Sequence, residues 1–282
     1  MENRKLGKNA GKIMSEDLFI LKRWDDEVIV FNNNLQTIRH KPAKKAVHDI
    51  RVSIKKIRAY LRLRQEITGE KWNEQFAGTK ILFQTLGKQR DLEMTLALLS
   101  KYHRRENTSL IHFKKFLQTN CRLARQWSKR AVAEYKEEEL QNLTNGFYTS
   151  FSSITNEELI NRIREMAEKT LKKLSKLLSS FKKNVHEIRK LLKDLYYWLK
   201  ACPENPVENL IRLKSLDRIL NNLGKWQDYF IFLRKLKDFK KEFLVKGSEE
   251  FTMITNCEET MKTLQDELLS KIKTTARFSF LK

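Results

Sequence analysis

The chain has 282 residues, enough for one large domain or two modest ones, and it carries 57 lysines and arginines against 35 aspartates and glutamates. The net charge is +22, and repulsion among the excess positive side chains lowers stability. We therefore expect a polyanion that neutralises them: nucleic acid, an anionic membrane surface or polyphosphate. Only 8 glycines and 3 prolines occur, which favours helices over sheets.

Several classes of protein are disfavoured at once. Cys121, Cys202 and Cys257 are odd in number, far apart and without metal-finger spacing, which favours a reducing compartment. The polar, basic start of the chain is not followed by the apolar region of a signal peptide. No uncharged apolar stretch is long enough to span a bilayer, so we expect a cytoplasmic protein.

Apolar residues recur at helical spacing along nearly the whole chain. Ser15 is the predicted N-cap of the first helix, His40-Lys41-Pro42 breaks it, and Thr68-Gly69 ends the second. The eight predicted helices cover about Ser15–Asn34, a stretch ending at Ile67, Lys71–Tyr102, Ser109–Leu143, Glu157–Ser180, Asn184–Lys200, Val207–Phe243 and Ser248–Lys273.

Two pairs of motifs indicate an internal repeat. Residues 47–51 (VHDIR) match 185–189 (VHEIR), and 86–91 (LGKQRD) match 223–228 (LGKWQD), at offsets of 138 and 137 residues. We therefore predict an all-α fold of two tandem four-helix bundles related by pseudo-twofold symmetry. The expected division is a basic N-terminal segment (1–14), a first repeat (15–145), a Ser/Thr/Asn-rich linker (146–156), a second repeat (157–275) and a basic tail (276–282).

The first matched helix has two adjacent stripes on a helical wheel. The apolar stripe is Val47, Ile50, Ile54, Ile57 and Leu61, and the basic stripe is Lys44, His48, Arg51, Lys55, Arg58 and Arg62. Like charges at these spacings each cost a few tenths of a kcal/mol. Something should offset that cost, and the alternatives are an external anion or a solvated or internally paired face. The basic stripe spans about 27 Å, which suits an extended polymer of phosphates.

The second matched helix repeats this geometry less completely. Its apolar stripe is Val185, Ile188, Leu192, Leu195 and Leu199, and its basic stripe is Lys182, His186, Arg189, Lys193 and Lys200. Tyr196 replaces the position of Arg58. His48 and His186 could each hydrogen-bond within the bundle or donate to a phosphate oxygen.

The second motif pair suggests structural roles. Gly87 and Gly224 lie inside predicted helices, where glycine costs about 1 kcal/mol, so we expect a close helix crossing at each. Asp91 and Asp228 follow by four residues, and we expect each to orient a basic-stripe cation through a salt bridge.

These motifs resemble those of the CHAD (conserved histidine alpha-helical domain) family. The resemblance covers nearly the whole chain after Ser15, with Asp194 and Tyr196 departing from the usual basic pattern. It implies two four-helix bundles around a basic central cleft or pore, and non-catalytic binding of inorganic polyphosphate. It also allows a location at polyphosphate granules and docking to a phosphate-metabolising enzyme. The implied contacts are His48, Arg51, Lys55, Arg58, Arg62, His186, Arg189 and Lys193, which we extend to Lys44, Lys88, Lys182 and Lys225.

Three other functions compete with polyphosphate binding. A nucleic-acid-binding protein would need aromatic side chains among the cations, and Tyr196 and Tyr197 supply two. A scaffold for an acidic partner is also compatible with the charge. An enzyme or metal protein is disfavoured, since the five histidines show no HxxxH or HExxH spacing and no GxxxxGK[ST] loop occurs. We expect no cofactor, no metal and no catalysis.

Overall fold

The computed structural model describes residues 18–41 and 43–280, with side chains through residue 275. Within those residues the chain is all-helical and has no strand, which confirms the predicted fold class. None of the helices described is apolar over a length that could cross a bilayer. The helices are α1 (Phe19–His40), α2 (Lys44–Thr68), a short 3-10 helix (Glu74–Phe76), α3 (Ala77–Glu106), α4 (Ile111–Glu134), α5 (Glu138–Ser150), α6 (Asn156–Leu178), α7 (Phe181–Ala201), α8 (Leu213–Phe243) and α9 (Glu249–Phe280).

Matched helices of the two repeats pack against each other. Helix α1 packs along α2 as α6 packs along α7, and α3 packs along α4 as α8 packs along α9. Helix α2 also contacts its counterpart α7, and α3 contacts its counterpart α8. The indole Nε1 of Trp198 donates a buried hydrogen bond of 2.8 Å to the carbonyl of Ala59, which ties α7 to α2. The four matched helices therefore meet at the centre of the molecule.

The hydrophobic cores do not follow the division into repeats. The larger core joins α1 and α2 to α6 and α7, with Trp24, Ile54 and Leu192 among its buried side chains. The smaller core joins the later part of α3 and the first part of α4 to α8 and α9, through residues such as Phe113 and Phe232. Each core therefore takes side chains from both repeats. The tandem-bundle arrangement stays a prediction.

The apolar stripes of both matched helices are buried, as their periodicity predicts. Every member of the first stripe has 0% exposure, and no member of the second exceeds 1%. Burying one such side chain contributes about 1.5 to 3 kcal/mol. These stripes fix the rotation of α2 and α7, and so determine where the adjacent basic stripes point.

The predicted fourth helix is wrong, because the chain leaves the helix at Tyr135 and begins a new one at Glu138. Tertiary contacts explain the break. The Tyr135 hydroxyl lies 2.9 Å from that of Thr79, and the Glu139 carboxylate accepts hydrogen bonds of 2.7 and 2.6 Å from the backbone N–H groups of Gly78 and Thr79. Glu139 thereby caps the exposed donors at the start of α3, which local propensity does not register.

The linker is shorter than predicted, because α5 continues to Ser150 and the capping box of Thr155 and Glu158 begins α6. Phe147 stacks on Trp24 at 4.1 Å between ring centroids, and it keeps this polar stretch helical.

Other boundaries shift as well. Helix α1 runs past Asn34 to His40, α9 runs past Lys273 to Phe280, and α8 begins at Leu213 rather than Val207. The Asn205 side chain bonds to the backbone of Val207 and Ile211 and holds the turn before α8. The Gly69 end of α2 is confirmed. Segment 1–14 and the Ser15 cap lie outside the described residues.

Candidate anion-binding cleft

A cleft of about 850 Å³ opens where α2, α3, α7 and α8 meet. Its walls carry six lysines and arginines against three aspartates, so the cleft is cationic. The basic residues are Arg51, Lys55, Arg90, Arg189, Lys193 and Lys225, and the acidic ones are Asp91, Asp217 and Asp228. His48 also lines the cleft.

The matched lysines Lys55 and Lys193 meet inside this cleft. Burial, followed by the charge of Lys193, lowers the pKa of Lys55 to about 6. Burial and the charge of Arg189 lower the pKa of Lys193 to about 8. Neither lysine has an ion-pair partner within 4.0 Å in the described part of the chain. Lys55 and Lys193 occupy equivalent positions of the two repeats. A pseudo-twofold axis between the repeats would bring such positions into contact.

Arg51 is held in place by α3. Its Nη1 donates a hydrogen bond of 2.5 Å to the carbonyl of Phe83, and its guanidinium lies 4.4 Å from the centroid of the Phe83 ring. Lys55 and Arg58 lie 5.9 and 5.5 Å from the same centroid. Burial lowers the pKa of Arg51 to about 10. Phe83 thus forms a platform whose negative face gathers three cations.

Arg189, the counterpart of Arg51, has an unsatisfied hydrogen-bond donor. Its buried Nε has no hydrogen-bond acceptor among the described residues. Burial lowers its pKa, an effect that the charge of Asp228 opposes. An unpaired buried donor on a cation is costly, and a bound oxyanion would satisfy it.

The two glycines have different surroundings, and neither packs as expected. A Cβ at Gly87 would lie 2.5 Å from Nη1 of Arg51, so the glycine makes room for a guanidinium rather than for a helix crossing. A Cβ at Gly224 would meet no atom within 4 Å. Gly224 lines the open cleft, so the predicted close crossing is wrong there.

Asp91 and Asp228 face the cleft without forming the predicted salt bridges. Within the described residues, neither carboxylate comes within 4.0 Å of a cationic nitrogen. Burial raises the pKa of each, and the charges of Arg51 and Arg90 respectively oppose that shift. The two carboxylates interact with the cations of the cleft by longer-range electrostatic attraction. They therefore do not occupy the N–H donors of those cations.

The matched histidines differ in their surroundings. His48 is exposed at the cleft, where burial and then the charge of Arg90 lower its pKa. His186 instead packs edge-on against Trp226 and Phe230, at 5.3 and 5.1 Å between centroids. The His48 ring therefore faces the cleft, whereas His186 contacts aromatic rings outside it.

Six of the predicted contact residues, including His186, lie outside the cleft. Lys44 is exposed near the start of α2. Arg58 and Arg62 line a neighbouring cavity, in which Arg62 pairs with Asp194 at 2.5 Å. Lys182 forms an exposed pair with Asp266 at 3.2 Å, and Lys88 lies 5.7 Å from the Trp127 ring in a separate pocket. The cleft thus brings together only part of each basic stripe.

Sequence reasoning missed several lining residues. Arg90 and Gln227 occupy matching positions of the repeated motif and both line the cleft, so their place in the motif was the available signal. Phe83, Tyr196 and Tyr197 also line it. No pattern marks Phe83, because its role depends on how α3 lies over α2.

Metal-binding groupings are not found in the described part of the chain: no three His, Cys, Asp or Glu side chains are placed to hold an ion. Cys121, Cys202 and Cys257 are buried and unpaired with one another.

Comparisons with known proteins agree with this architecture. The family model of the CHAD domain matches residues 26–237. Among solved structures, the chain is similar to the CHAD domain from the plant Ricinus communis, with a TM-score of 0.68 and 16% identity over 94% of this chain and 91% of that one. No curated protein sequence gives a significant match. At the family level the CHAD domain is a helical domain associated with polyphosphate and phosphate metabolism. The family match covers most of the chain, which therefore belongs to the CHAD domain family.

Proposed function

We propose that this protein binds inorganic polyphosphate in the central cleft and performs no reaction on it. The observation that carries the proposal is the meeting of Lys55 and Lys193 in the cleft, two matched lysines with no carboxylate oxygen within 4.0 Å of either amine in the described residues. A phosphate placed between them would restore the charge on Lys55 and convert repulsion into attraction.

The surroundings of these lysines favour an anion with many oxygens. Arg51 and Arg189 flank them from the two repeats, and Arg guanidinium groups can hold two phosphate oxygens at once. A cleft of about 850 Å³ leaves room for several linked phosphates. Arg90 and Lys225 add charge at its walls. A repeating polyanion uses all of these groups, whereas a single phosphate reaches few of them.

The aromatic side chains of the cleft favour polyphosphate over nucleic acid as the ligand. A single-stranded nucleic acid gains much of its affinity from bases stacked on aromatic side chains. Tyr197 is buried, and Tyr196 is only partly exposed and tilted against it at 5.7 Å between centroids. Neither ring offers a free face of the kind that a base needs.

Calorimetric titration with long-chain polyphosphate tests the proposal. The double variant Arg189→Ala with Lys193→Ala should lose at least about tenfold in affinity, because two cations of the cleft are removed. The control variant Lys114→Ala with Lys115→Ala removes the same charge from the exposed face of α4 and should bind as the parent does.

Three results would contradict the proposal. Equal losses in the two variants would indicate diffuse attraction to net charge rather than a site. Displacement of polyphosphate by single-stranded DNA at equal phosphate concentration would favour a nucleic-acid-binding function. Release of free phosphate during the titration would contradict the absence of a reaction.

A further inference from the structure

A second basic cavity, the Trp72 chamber, lies beside the cleft on α2, α6 and α7. It has a volume of about 550 Å³, and five lysines and arginines against two acidic residues line it. The cations are Arg58, Arg62, Lys169, Lys173 and Lys190. Three of them belong to no repeated motif, so the repeat does not account for this concentration of charge.

Internal pairing uses only part of the chamber's charge. Arg62 pairs with Asp194 at 2.5 Å, and Lys173 pairs with Glu187 at 2.7 Å. In the described part of the chain, the other three cations of the chamber have no ion-pair partner within 4.0 Å. Burial and the charge of Arg62 lower the pKa of Arg58, and the charge of Asp194 offsets part of that shift.

Arg58 connects the chamber to the cleft. Its side chain lines the chamber, and its guanidinium lies 5.5 Å from the centroid of Phe83, which lines the cleft. Arg51 and Lys55 contact the same ring from the cleft side. The cationic surface is therefore continuous from the cleft, past Phe83, into the chamber.

We propose that the Trp72 chamber is a second binding site for the polyphosphate chain, occupied only by chains long enough to pass Arg58 from the cleft. The inference rests on the proposed function of the cleft. Lys169 of α6 and Lys190 of α7 contact the far end of the bound chain. Short polyphosphates fill the cleft alone, so the chamber makes affinity depend on chain length.

Two double variants with the same charge change test this site. Lys169→Ala with Lys190→Ala removes exposed cations of the chamber, and Lys172→Ala with Lys176→Ala removes exposed cations of α6 that do not line it. The chamber variant should lose about tenfold in affinity for long-chain polyphosphate and keep the parent's affinity for tripolyphosphate. The control should keep both affinities.

The chamber proposal is overturned if both variants bind long chains equally well, or if the chamber variant loses tripolyphosphate affinity to the same extent. A parent protein that binds neither polymer overturns the proposed function itself. Tryptophan fluorescence adds a readout that does not depend on affinity. Two tryptophans, Trp72 and Trp198, line the chamber. Long chains should change the emission of the parent, and Trp72→Phe should reduce that change, while tripolyphosphate leaves the emission unaltered.

Discussion

Lys55 is a partly buried lysine, and after burial the charge of another lysine, Lys193, lowers its pKa most. A protonated amine in such a position, with no carboxylate oxygen within 4.0 Å in the described residues, lowers the stability of the fold. Because its folded-state pKa is about 6 against an ordinary 10.5, the unfolded chain binds the proton more tightly. The destabilisation by Lys55 is therefore absent above its ordinary pKa of 10.5 and grows as the pH falls to about 6.

Polyphosphate binding should consequently be accompanied by proton uptake. Because its pKa is about 6, Lys55 of the protein alone is neutral at pH 8, and a neighbouring phosphate would raise that pKa and favour the charged form. Uptake should be on the order of one proton per site, and affinity should increase as the pH falls from 8 to 6. Titration in buffers of different ionisation enthalpy measures the protons directly.

The variant Lys55→Met is the control for that uptake. It removes the titrating group, so the binding heat should depend much less on the buffer. It also removes an unpaired buried amine, and should raise the free energy of unfolding at pH 7 by about 1 kcal/mol. Buffer-independent heat in the parent, or unchanged proton uptake in Lys55→Met, would show that Lys55 is not the group concerned.

At the scale of helices, the periodicity of the sequence predicts which face of a single helix is buried. The stripe from Val47 to Leu61 is buried because its members share one face of α2, and the adjacent cations follow from that rotation. Features that depend on a second helix were missed. Helix α4 ends where the Tyr135 hydroxyl meets that of Thr79 in α3. Arg62 lies outside the central cleft and pairs with Asp194 of α7.

The glycines of α3 and α8 provide a matched test of how helix contacts shape the cleft. In Gly87→Ala, the new methyl group would displace the Arg51 guanidinium and break its bond to the Phe83 carbonyl. The guanidinium is the flexible end of its side chain, so the protein should fold. Affinity for polyphosphate should fall about tenfold, because a charged hydrogen-bonding group loses its position. Calorimetric titration measures the loss.

Gly224→Ala is the matched change at the corresponding position of the repeat. No atom lies within 4 Å of the added methyl group, so affinity should stay within about twofold of the parent. Thermal unfolding should show a gain of about 1 kcal/mol from helix propensity. If the two substitutions weakened binding equally, the contact between Gly87 and Arg51 would have no special part in holding the anion.

For the whole molecule, net charge and site charge make different contributions to binding. The chain has 57 lysines and arginines and a net charge of +22, but only six of those side chains line the cleft. Sequence alone indicated a polyanion and the two helices involved. It did not indicate that the basic stripes divide between the cleft and the Trp72 chamber, because that division follows from the crossing of α2 and α7.

Salt dependence distinguishes the site from the overall charge. Six phosphate contacts predict a log–log slope of affinity against salt of roughly −4, by analogy with single-stranded nucleic acid. Each cation removed from the cleft should flatten the slope by about 0.7, because one fewer counterion is released on binding. Arg189→Ala with Lys193→Ala should therefore change the slope, whereas Lys114→Ala with Lys115→Ala should leave it unaltered. A slope that responds equally to both pairs would mean that polyphosphate is attracted to the surface as a whole, and the central cleft would then have no distinct part in binding.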